Sequence, residues 1–184
     1  MKRAFFILDL SRCYGCLGCV AACANANSTP EGIFWRSLHK LVPENSRHDT
    51  VYLSISCNHC LRAPCIKACP TESLSRDNET GAVVHNQDSC IGCRYCQMAC
   101  PYDAISWDAE SGMIGKCDFC NDRIRQGRDP ACVETCFADA LTYRILESEE
   151  EPECAEKEFA GFKYDDACAP SIRFRNTPSR GEGN

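Results

Sequence analysis

The cysteines of this 184-residue chain constrain its fold more than any other feature. Sixteen of the 18 fall into four groups of four, and only Cys154 and Cys168 stand outside the pattern, which gives them no role. The groups are Cys13-x2-Cys16-x2-Cys19-x3-Cys23, Cys57-x2-Cys60-x4-Cys65-x3-Cys69, Cys90-x2-Cys93-x2-Cys96-x3-Cys100 and Cys117-x2-Cys120-x11-Cys132-x3-Cys136. Bound iron-sulfur clusters are the best explanation of a spacing this dense and regular.

The composition leaves little apolar material for a conventional core. The 44 % of residues that are hydrophobic include the cysteines, which alone make up about a tenth of the chain, well beyond average usage. Burial of Leu, Ile, Val and Phe normally drives folding. We therefore expect the clusters to serve as the core, metal binding to be coupled to folding, and the apo-protein to be largely unfolded.

Charge and hydropathy exclude two classes of function. The net charge is −6, and the run from Glu147 to Glu158 holds seven acids against one lysine, so it accounts for the whole excess. No basic stripe of the kind that nucleic-acid binding needs is present in the sequence. The run Ala4 to Leu8 is too short for a signal peptide or for the roughly 20 residues of a membrane helix. We expect a soluble protein without its own export signal, which is either cytoplasmic or carried across a membrane, already folded, by a partner with a twin-arginine signal.

A repeat follows the last cysteine of three groups. The segments that begin at Cys69 and Cys100 align without gaps at an offset of 31 residues, and a weaker copy begins at Cys136. In each, an acid three residues after the cysteine precedes a small, an apolar and a hydroxyl residue, which predicts a short helical turn leading into a strand. The first two copies continue with a polar tip (77–80 and 108–111), a glycine and an apolar pair, which predicts a β-hairpin. Further strands are predicted at residues 5–8, 51–55 and 141–146.

The cysteine spacing is typical of cubane ligation. Three cysteines at successive x2 spacing lie on one tight loop that can hold three corners of a cluster, and a fourth is expected to start a helix and to point elsewhere. In two-cluster bacterial ferredoxins that fourth cysteine, followed by proline, ligates the other cluster. Cys69-Pro70 and Cys100-Pro101 carry this signature. The third group matches a ferredoxin in full, and the second differs only by two extra residues between Cys60 and Cys65.

By analogy with that ligand exchange, each cluster takes three cysteines from one group and one from another. The prediction is four [4Fe-4S] clusters: cluster 1 on Cys13, Cys16, Cys19 and Cys136; cluster 2 on Cys23, Cys117, Cys120 and Cys132; cluster 3 on Cys57, Cys60, Cys65 and Cys100; cluster 4 on Cys69, Cys90, Cys93 and Cys96. Structural zinc sites also use four thiolates, but typically as two separated pairs. A disulfide scaffold would require a secretory signal and a short chain.

Four residues near the cysteines are candidates for tuning cluster potentials. His59 could ligate iron, but cysteine already fills all sixteen positions, so we expect a hydrogen bond within its loop or a tuning role. The other three candidates are Arg94, Tyr95 and Lys116. Each of them either tunes a cluster potential by its charge or polarity or simply faces solvent.

These motifs resemble the four-cluster electron-transfer subunits of the dimethyl sulfoxide reductase family of molybdenum and tungsten enzymes, which includes polysulfide, thiosulfate, tetrathionate and dehydroxylase relatives. The likeness covers about Phe5 to Leu146. It rests on Cys57-Asn-His-Cys60 with Ala63-Pro-Cys65, on Cys90-Ile-Gly-Cys93-Arg-Tyr-Cys96-Gln-Met-Ala-Cys100-Pro-Tyr, and on Lys116-Cys-Asp-Phe-Cys120 through Arg123, Gly127 and Pro130-Ala-Cys132 to Cys136. Pro170-Ser-Ile-Arg-Phe174 is similar to the family's C-terminal arm.

The resemblance implies an α+β, double bacterial-ferredoxin-like fold of short strands, turns and short helices, in which four [4Fe-4S] clusters form a wire. Cluster 1 would lie near a catalytic molybdopterin subunit, clusters 2 and 3 would follow, and cluster 4 would face a quinol-oxidising membrane anchor or a soluble donor. Some relatives lack the cysteine equivalent to Cys93 and hold a three-iron cluster there, so its presence favours four cubanes.

The expected organisation divides the chain into four segments. Residues 1–56 form an N-terminal ferredoxin-like segment with an insertion at 29–50, and residues 57–112 form a central two-cluster domain. Residues 113–146 carry the fourth cysteine group and complete the ferredoxin-like half that begins with residues 1–56. Residues 147–184 are an acidic segment and C-terminal arm. The C-terminal residues have two open alternatives: solvated or disordered peptide, or an extended arm laid on a partner subunit.

The sequence points to electron transport in anaerobic respiration rather than to catalysis by this chain. It has neither a glycine-rich phosphate loop nor a plausible pairing of nucleophile and base. The chain is therefore expected to be a non-catalytic subunit of an oxidoreductase complex. A free-standing polyferredoxin carrier is the alternative.

Overall fold

The computed structural model describes residues 1–42, 50–159 and 161–177, which form an α+β structure of short elements. The strands are β1 Lys2–Asp9, β2 Arg36–Leu41, β3 Val51–Ser56, β4 Leu74–Arg76, β5 Val83–His85, β6 Ser106–Asp108, β7 Met113–Gly115, β8 Leu141–Glu147 and β9 Ile172–Arg175. The helices are α1 Gly18–Ala26, α2 Pro64–Lys67, α3 Tyr95–Met98, α4 Asn121–Arg125 and α5 Ala131–Glu134. This arrangement of short helices and small strands is consistent with a ferredoxin-like domain.

The first strand forms the centre of a three-stranded sheet with the order β8-β1-β9. It pairs antiparallel with β8, so that Phe6 lies opposite Tyr143, and parallel with β9, so that Phe6 lies opposite Ile172. All residues from Ala4 to Leu8 are at most 3 % exposed. A strand that is covered on both faces reads as a continuous apolar run, which explains the short hydrophobic stretch near the N-terminus.

Aromatic residues build a core that the composition did not predict. The ring centroids of Phe6 and Phe119 are 4.5 Å apart, and Phe174 packs against Phe159 and Phe162 at 4.8 and 5.1 Å. The expectation that little besides cysteine would be left for a core is therefore wrong. A few aromatic side chains suffice because each one buries roughly 150–250 Å².

The structure confirms the repeat and its hairpins. The strands β4 and β5 form one antiparallel pair, and β6 and β7 form the other. The repeated acid adopts the left-handed conformation in all three copies, with φ of 54° at Glu72 and 49° at Asp103 and Asp139. In each copy its backbone N–H donates to the carbonyl oxygen of the preceding cysteine.

Contrary to the prediction, the repeat cysteines do not start helices but follow them. The helices α2, α3 and α5 end two residues before Cys69, Cys100 and Cys136, respectively. Proline disfavours the helical conformation of the residue before it, so the Cys-Pro pairs at Cys69 and Cys100 are incompatible with a helix that continues through the cysteine.

The C-terminal segment folds back onto its own chain. The Arg173 side chain is buried, and its Nε and Nη2 donate to the Glu151 carboxylate at 2.7 and 2.8 Å. The same segment contacts the second cysteine loop, since Leu61 N–H donates to Ala169 O and Ser171 N–H donates to Asn58 O. The described residues of this segment therefore pack against the body of the chain, and an arm laid on a partner subunit stays a prediction. Residues 178–184 of the predicted arm lie outside the described residues.

The predicted insertion at 29–50 contains a strand that the sequence analysis missed. The strand β2 pairs antiparallel with β3, with Arg36 opposite Ser56. The described portion of the insertion is thus integrated into the body, and residues 43–49 lie outside the described residues. The division of the chain into four segments stays a prediction.

Candidate metal centres

The cysteines assigned to cluster 1 line one cavity, although Cys136 is more than 100 residues away from the other three in sequence. The wall of this cavity contains Cys13, Cys16, Cys19 and Cys136, with Tyr14, Leu17, Ser54 and Phe137 around them. The loop after β1 supplies Cys13 and Cys16, and Cys19 lies in the first turn of α1. The packing of α1 against α5 brings Cys136 to the same place.

The cysteines assigned to cluster 3 line a second cavity. Its wall contains Cys57, Cys60, Cys65 and Cys100, together with apolar residues that include Ala63, Val83 and Ile105. The helix α2 carries Cys65, and the contact between α2 and α3 brings Cys100 alongside. The fourth cysteine of this cavity therefore comes from the third group, and the assignment of these four residues as ligands stays a prediction.

The cysteines assigned to cluster 2 are the most deeply buried set. All four are at most 8 % exposed: Cys23, Cys117, Cys120 and Cys132. The thiol of Cys23 interacts electrostatically with those of Cys120 and Cys132, and Cys117 interacts with Cys23 and Cys132. The Phe119 N–H donates to Cys117 Sγ at 3.4 Å.

The cysteines assigned to cluster 4 lie in the region formed by the two hairpins. The thiol of Cys96 interacts with those of Cys69 and Cys93, and Cys90 packs against the same small apolar cluster. Ser73 N–H donates to Cys69 Sγ at 3.2 Å, and Ser73 Oγ lies 3.1 Å from the same sulfur. Burial acts to raise the pKa of Cys69, but hydrogen bonds from Ser73 and Thr71 outweigh it and lower the pKa to about 6.

Several buried thiols in these sets resist ionisation without a positive partner. Burial raises the pKa of Cys23 and of Cys65 to about 12 and raises that of Cys117 well above its ordinary value. Iron supplies the positive charge that such thiolates need, because a coordinating thiol is deprotonated outright. Cysteine sulfurs that line one mostly apolar cavity therefore fit an iron-sulfur cluster. A different kind of site, in which at least three His, Cys, Asp or Glu side chains together hold one metal ion, is absent from residues 1–42, 50–159 and 161–177.

Three residues near the cysteines were not identified from the sequence. Arg36 is fully buried on β2, and its Nη1 donates to Ser54 Oγ at 3.0 Å. Ser54 Oγ in turn lies 3.2 Å from Cys19 Sγ. Cys168, which the pattern left without a role, is buried beside Cys60, and the two thiols interact. Arg36 and Cys168 lie far from the cysteine motifs in sequence, and Ser54, three residues before Cys57, faces Cys19 of another group, so only the tertiary structure could reveal them.

The candidates for tuning have different environments. Lys116 is buried and donates to Cys117 O at 2.6 Å. His59 is also buried, but its Nδ1 accepts from Val83 N–H at 3.0 Å, so its hydrogen bond goes to β5 rather than to its own loop. Arg94 and Tyr95 are exposed, and Arg94 lies over the Trp107 ring at 5.0 Å from the centroid.

Comparison with known proteins identifies the family. Residues 48–145, more than half of the chain, match the 4Fe-4S dicluster domain. The chain therefore belongs to this family of iron-sulfur proteins, and its cofactors are [4Fe-4S] clusters.

The curated relatives narrow the class to electron-transfer subunits. The B subunit of anaerobic dimethyl sulfoxide reductase of Escherichia coli (strain K12) is 40 % identical over 147 residues, which cover 75 % of this chain and 71 % of that protein. Thiosulfate reductase electron transfer subunit PhsB of Salmonella typhi is 39 % identical over 146 residues, which cover 77 % and 76 %. The resemblance predicted from the motifs is confirmed, and the chain is an iron-sulfur electron-transfer subunit.

Among solved structures, this chain is similar to one in the active site complex BamBC of benzoyl coenzyme A reductase in complex with zinc. The alignment covers 83 % of this chain and 84 % of that chain. The sequence identity is 20 % and the TM-score is 0.40.

Within the described residues, no helix has the length and apolar character required to cross a membrane.

Proposed function

We propose that this chain holds four [4Fe-4S] clusters, assigned as clusters 1 to 4 above, in a double ferredoxin-like fold. It would conduct electrons between a quinol or soluble donor and the catalytic molybdopterin subunit of an oxidoreductase of the dimethyl sulfoxide reductase type. The observation that carries the proposal is that two cavities are each lined by four cysteines drawn from two different groups. The names of the relatives, a dimethyl sulfoxide reductase subunit and a thiosulfate reductase subunit, support the choice of partner.

The residues of this chain have a supporting and non-catalytic role in the proposal. When bound, the clusters supply one-electron redox chemistry, with potentials set by hydrogen bonds to sulfur, local charge and solvent exposure. Buried apolar residues exclude water from the sulfur ligands. Backbone and hydroxyl groups such as Phe119 N–H and Ser73 Oγ contact those ligands directly. The proposed partner supplies the site at which substrate reacts.

Two exposed apolar patches lie at the proposed ends of the wire. Beside cluster 1 are Tyr14, Leu17 and Phe137, which are 71 %, 54 % and 76 % exposed, and the Tyr14 and Phe137 rings stack at 6.4 Å. Beside cluster 4 are three further residues that are at least half exposed: Ile91, Tyr95 and Met98. Exposed apolar patches mark interaction sites. We assign the first patch to the catalytic subunit and the second to the electron donor, which includes a membrane anchor where the complex has one.

Affinity purification of the tagged chain from its native host tests the proposed partnership. We expect a stable one-to-one complex with a large pterin-containing protein, and about sixteen irons per chain in four cubanes. The double substitution Tyr14→Ser and Phe137→Ser should abolish co-purification of that protein. The matched substitution Met98→Ser at the other end should leave it intact.

Two results would contradict this function. A monodisperse small protein with a reversible redox titration and no pterin partner would favour a free polyferredoxin carrier. Far fewer irons per chain, with equally little sulfide, would contradict the four-cluster assignment itself.

A further inference from the structure

Arg36 is a buried cation without an anionic side-chain partner. It is 1 % exposed, and across residues 1–42, 50–159 and 161–177 no carboxylate lies within ion-pair distance of its guanidinium. Lysine and arginine are almost never fully buried unless they are paired. A charge in this position therefore requires negative charge from another source.

The neutral contacts of Arg36 fix its position but do not balance its charge. Nη1 and Nη2 donate to Ser54 Oγ and Ser56 Oγ, each at 3.0 Å, and the guanidinium lies over the Phe6 ring at 4.5 Å from the centroid. Its Nε is buried and has no hydrogen-bond partner among the described residues. The strand β3 thus holds the guanidinium rigidly, because both hydroxyls belong to that strand.

The groups that interact with this cation are thiols from two of the proposed ligand sets. They are Cys132, Cys117 and Cys23 of cluster 2, and Cys19 of cluster 1. Burial acts to lower the pKa of Arg36, but the negative charge of these cysteines in their thiolate form, the form that ligates iron, outweighs it and raises the pKa. Ser54 adds a direct connection, since its Oγ accepts from Arg36 and lies 3.2 Å from Cys19 Sγ. Arg36 therefore lies between the ligands of clusters 1 and 2.

We propose that Arg36 sets the reduction potentials of clusters 1 and 2, raising both with a single buried positive charge. This inference rests on the proposed cluster assignment and deepens it. Reduction adds negative charge to a cluster, and net charge near a cluster is one of the determinants of its potential. Buried charges are screened much less than exposed ones, so the effect is strong at this position. Because arginine does not lose its proton in proteins, the contribution of Arg36 is independent of pH.

Redox titration of the anaerobic full-length holoprotein, followed by electron paramagnetic resonance, tests the proposal. In Arg36→Gln we expect two of the four midpoint potentials to shift to lower values while the other two stay unchanged. Arg36→Lys keeps the charge and should keep both potentials close to those of the unaltered protein. The control Arg144→Gln removes the same charge from an exposed position on β8 and should shift none.

Iron and sulfide analysis of each variant separates the possible failures. Four unchanged potentials in a fully loaded Arg36→Gln protein would overturn the role of Arg36 and leave the four-cluster function standing. Loss of iron in Arg36→Gln but not in Arg36→Lys would support a requirement for the charge. Loss of iron in both variants would show a packing role and overturn the inference. An unaltered protein without four clusters would overturn the proposed function first, and this inference with it.

Discussion

The two cysteines outside the motifs have opposite environments. Cys154 is exposed, whereas Cys168 is 2 % exposed and lies 3.3 Å from Asp165 Oδ2. Thiol reactivity depends on access as well as on ionisation. Neither the exposure of Cys154 nor the burial of Cys168 was evident from the sequence, in which both residues are simply left over.

Anaerobic alkylation of the native holoprotein should therefore modify Cys154 alone. The other cysteines are expected to be protected by ligation to iron, or in the case of Cys168 by burial. Peptide mass spectrometry after treatment with iodoacetamide measures this, and Cys154→Ser provides the unlabelled control. Labelling of Cys16, which is exposed yet assigned to cluster 1, would contradict its role as a ligand.

At the scale of elements, the two repeat hairpins carry equivalent glycines with different surroundings. Gly81 and Gly112 both have positive φ, 75° and 67°. A Cβ atom at Gly81 would overlap the backbone of Lys2 and Arg3, whereas no atom of the described residues lies within 4 Å of one at Gly112. The tip of the first hairpin thus lies directly against β1, whereas the tip of the second is open at Gly112.

Replacing these glycines by alanine should have unequal effects. Gly112→Ala should cost only the strain of the left-handed conformation, about 1–2 kcal/mol. Gly81→Ala adds overpacking against the backbone and should cost roughly 2–5 kcal/mol. Denaturant unfolding of the anaerobic holoprotein, followed by far-UV circular dichroism, measures both. Equal losses in the two variants would show that the first hairpin does not pack on β1 in this way.

This pair shows where prediction from sequence succeeded and where it stopped. Local patterns suffice for a hairpin, because turn glycines and apolar pairs lie within a dozen residues. They carry no information about which hairpin packs on β1. The strand β2 was missed for a related reason: Arg-Ser-Leu-His-Lys-Leu has a weak strand pattern, and pairing with β3 stabilises it. The cysteine motifs were visible as local spacing, while Arg36 required the tertiary structure.

At the scale of the whole molecule, the apolar residues are distributed unevenly. The sheet around β1 packs against the phenylalanine core, whereas the two hairpins share a smaller apolar cluster of Ala63, Leu74, Val83, Ile105 and Ile114 with their cysteines. Structure that depends on few apolar contacts opens first. The hairpins should therefore depend on their metal more strongly than the sheet does.

Removal of iron with a chelator under anaerobic, reducing conditions should unfold most of the chain. In hydrogen-exchange mass spectrometry, peptides from β4 to β7 should lose protection completely. Peptides from β1 and β8 should retain some protection, because that sheet packs on the phenylalanine core. Uniform exchange along the apo-chain would show that the hairpins and the sheet unfold as one cooperative unit. Full protection everywhere would show that the chain folds without its metal.

The pairing of β1 with both β8 and β9 has a consequence for biosynthesis. More than 130 residues separate β1 from β8, and more than 160 separate it from β9, so β1 waits tens of seconds for both neighbours at the slow end of elongation rates, about 5 residues per second. During that interval β1 exposes five consecutive apolar residues, Ala4 to Leu8, and an unpaired backbone. Such a strand is an aggregation hazard until its neighbours are made.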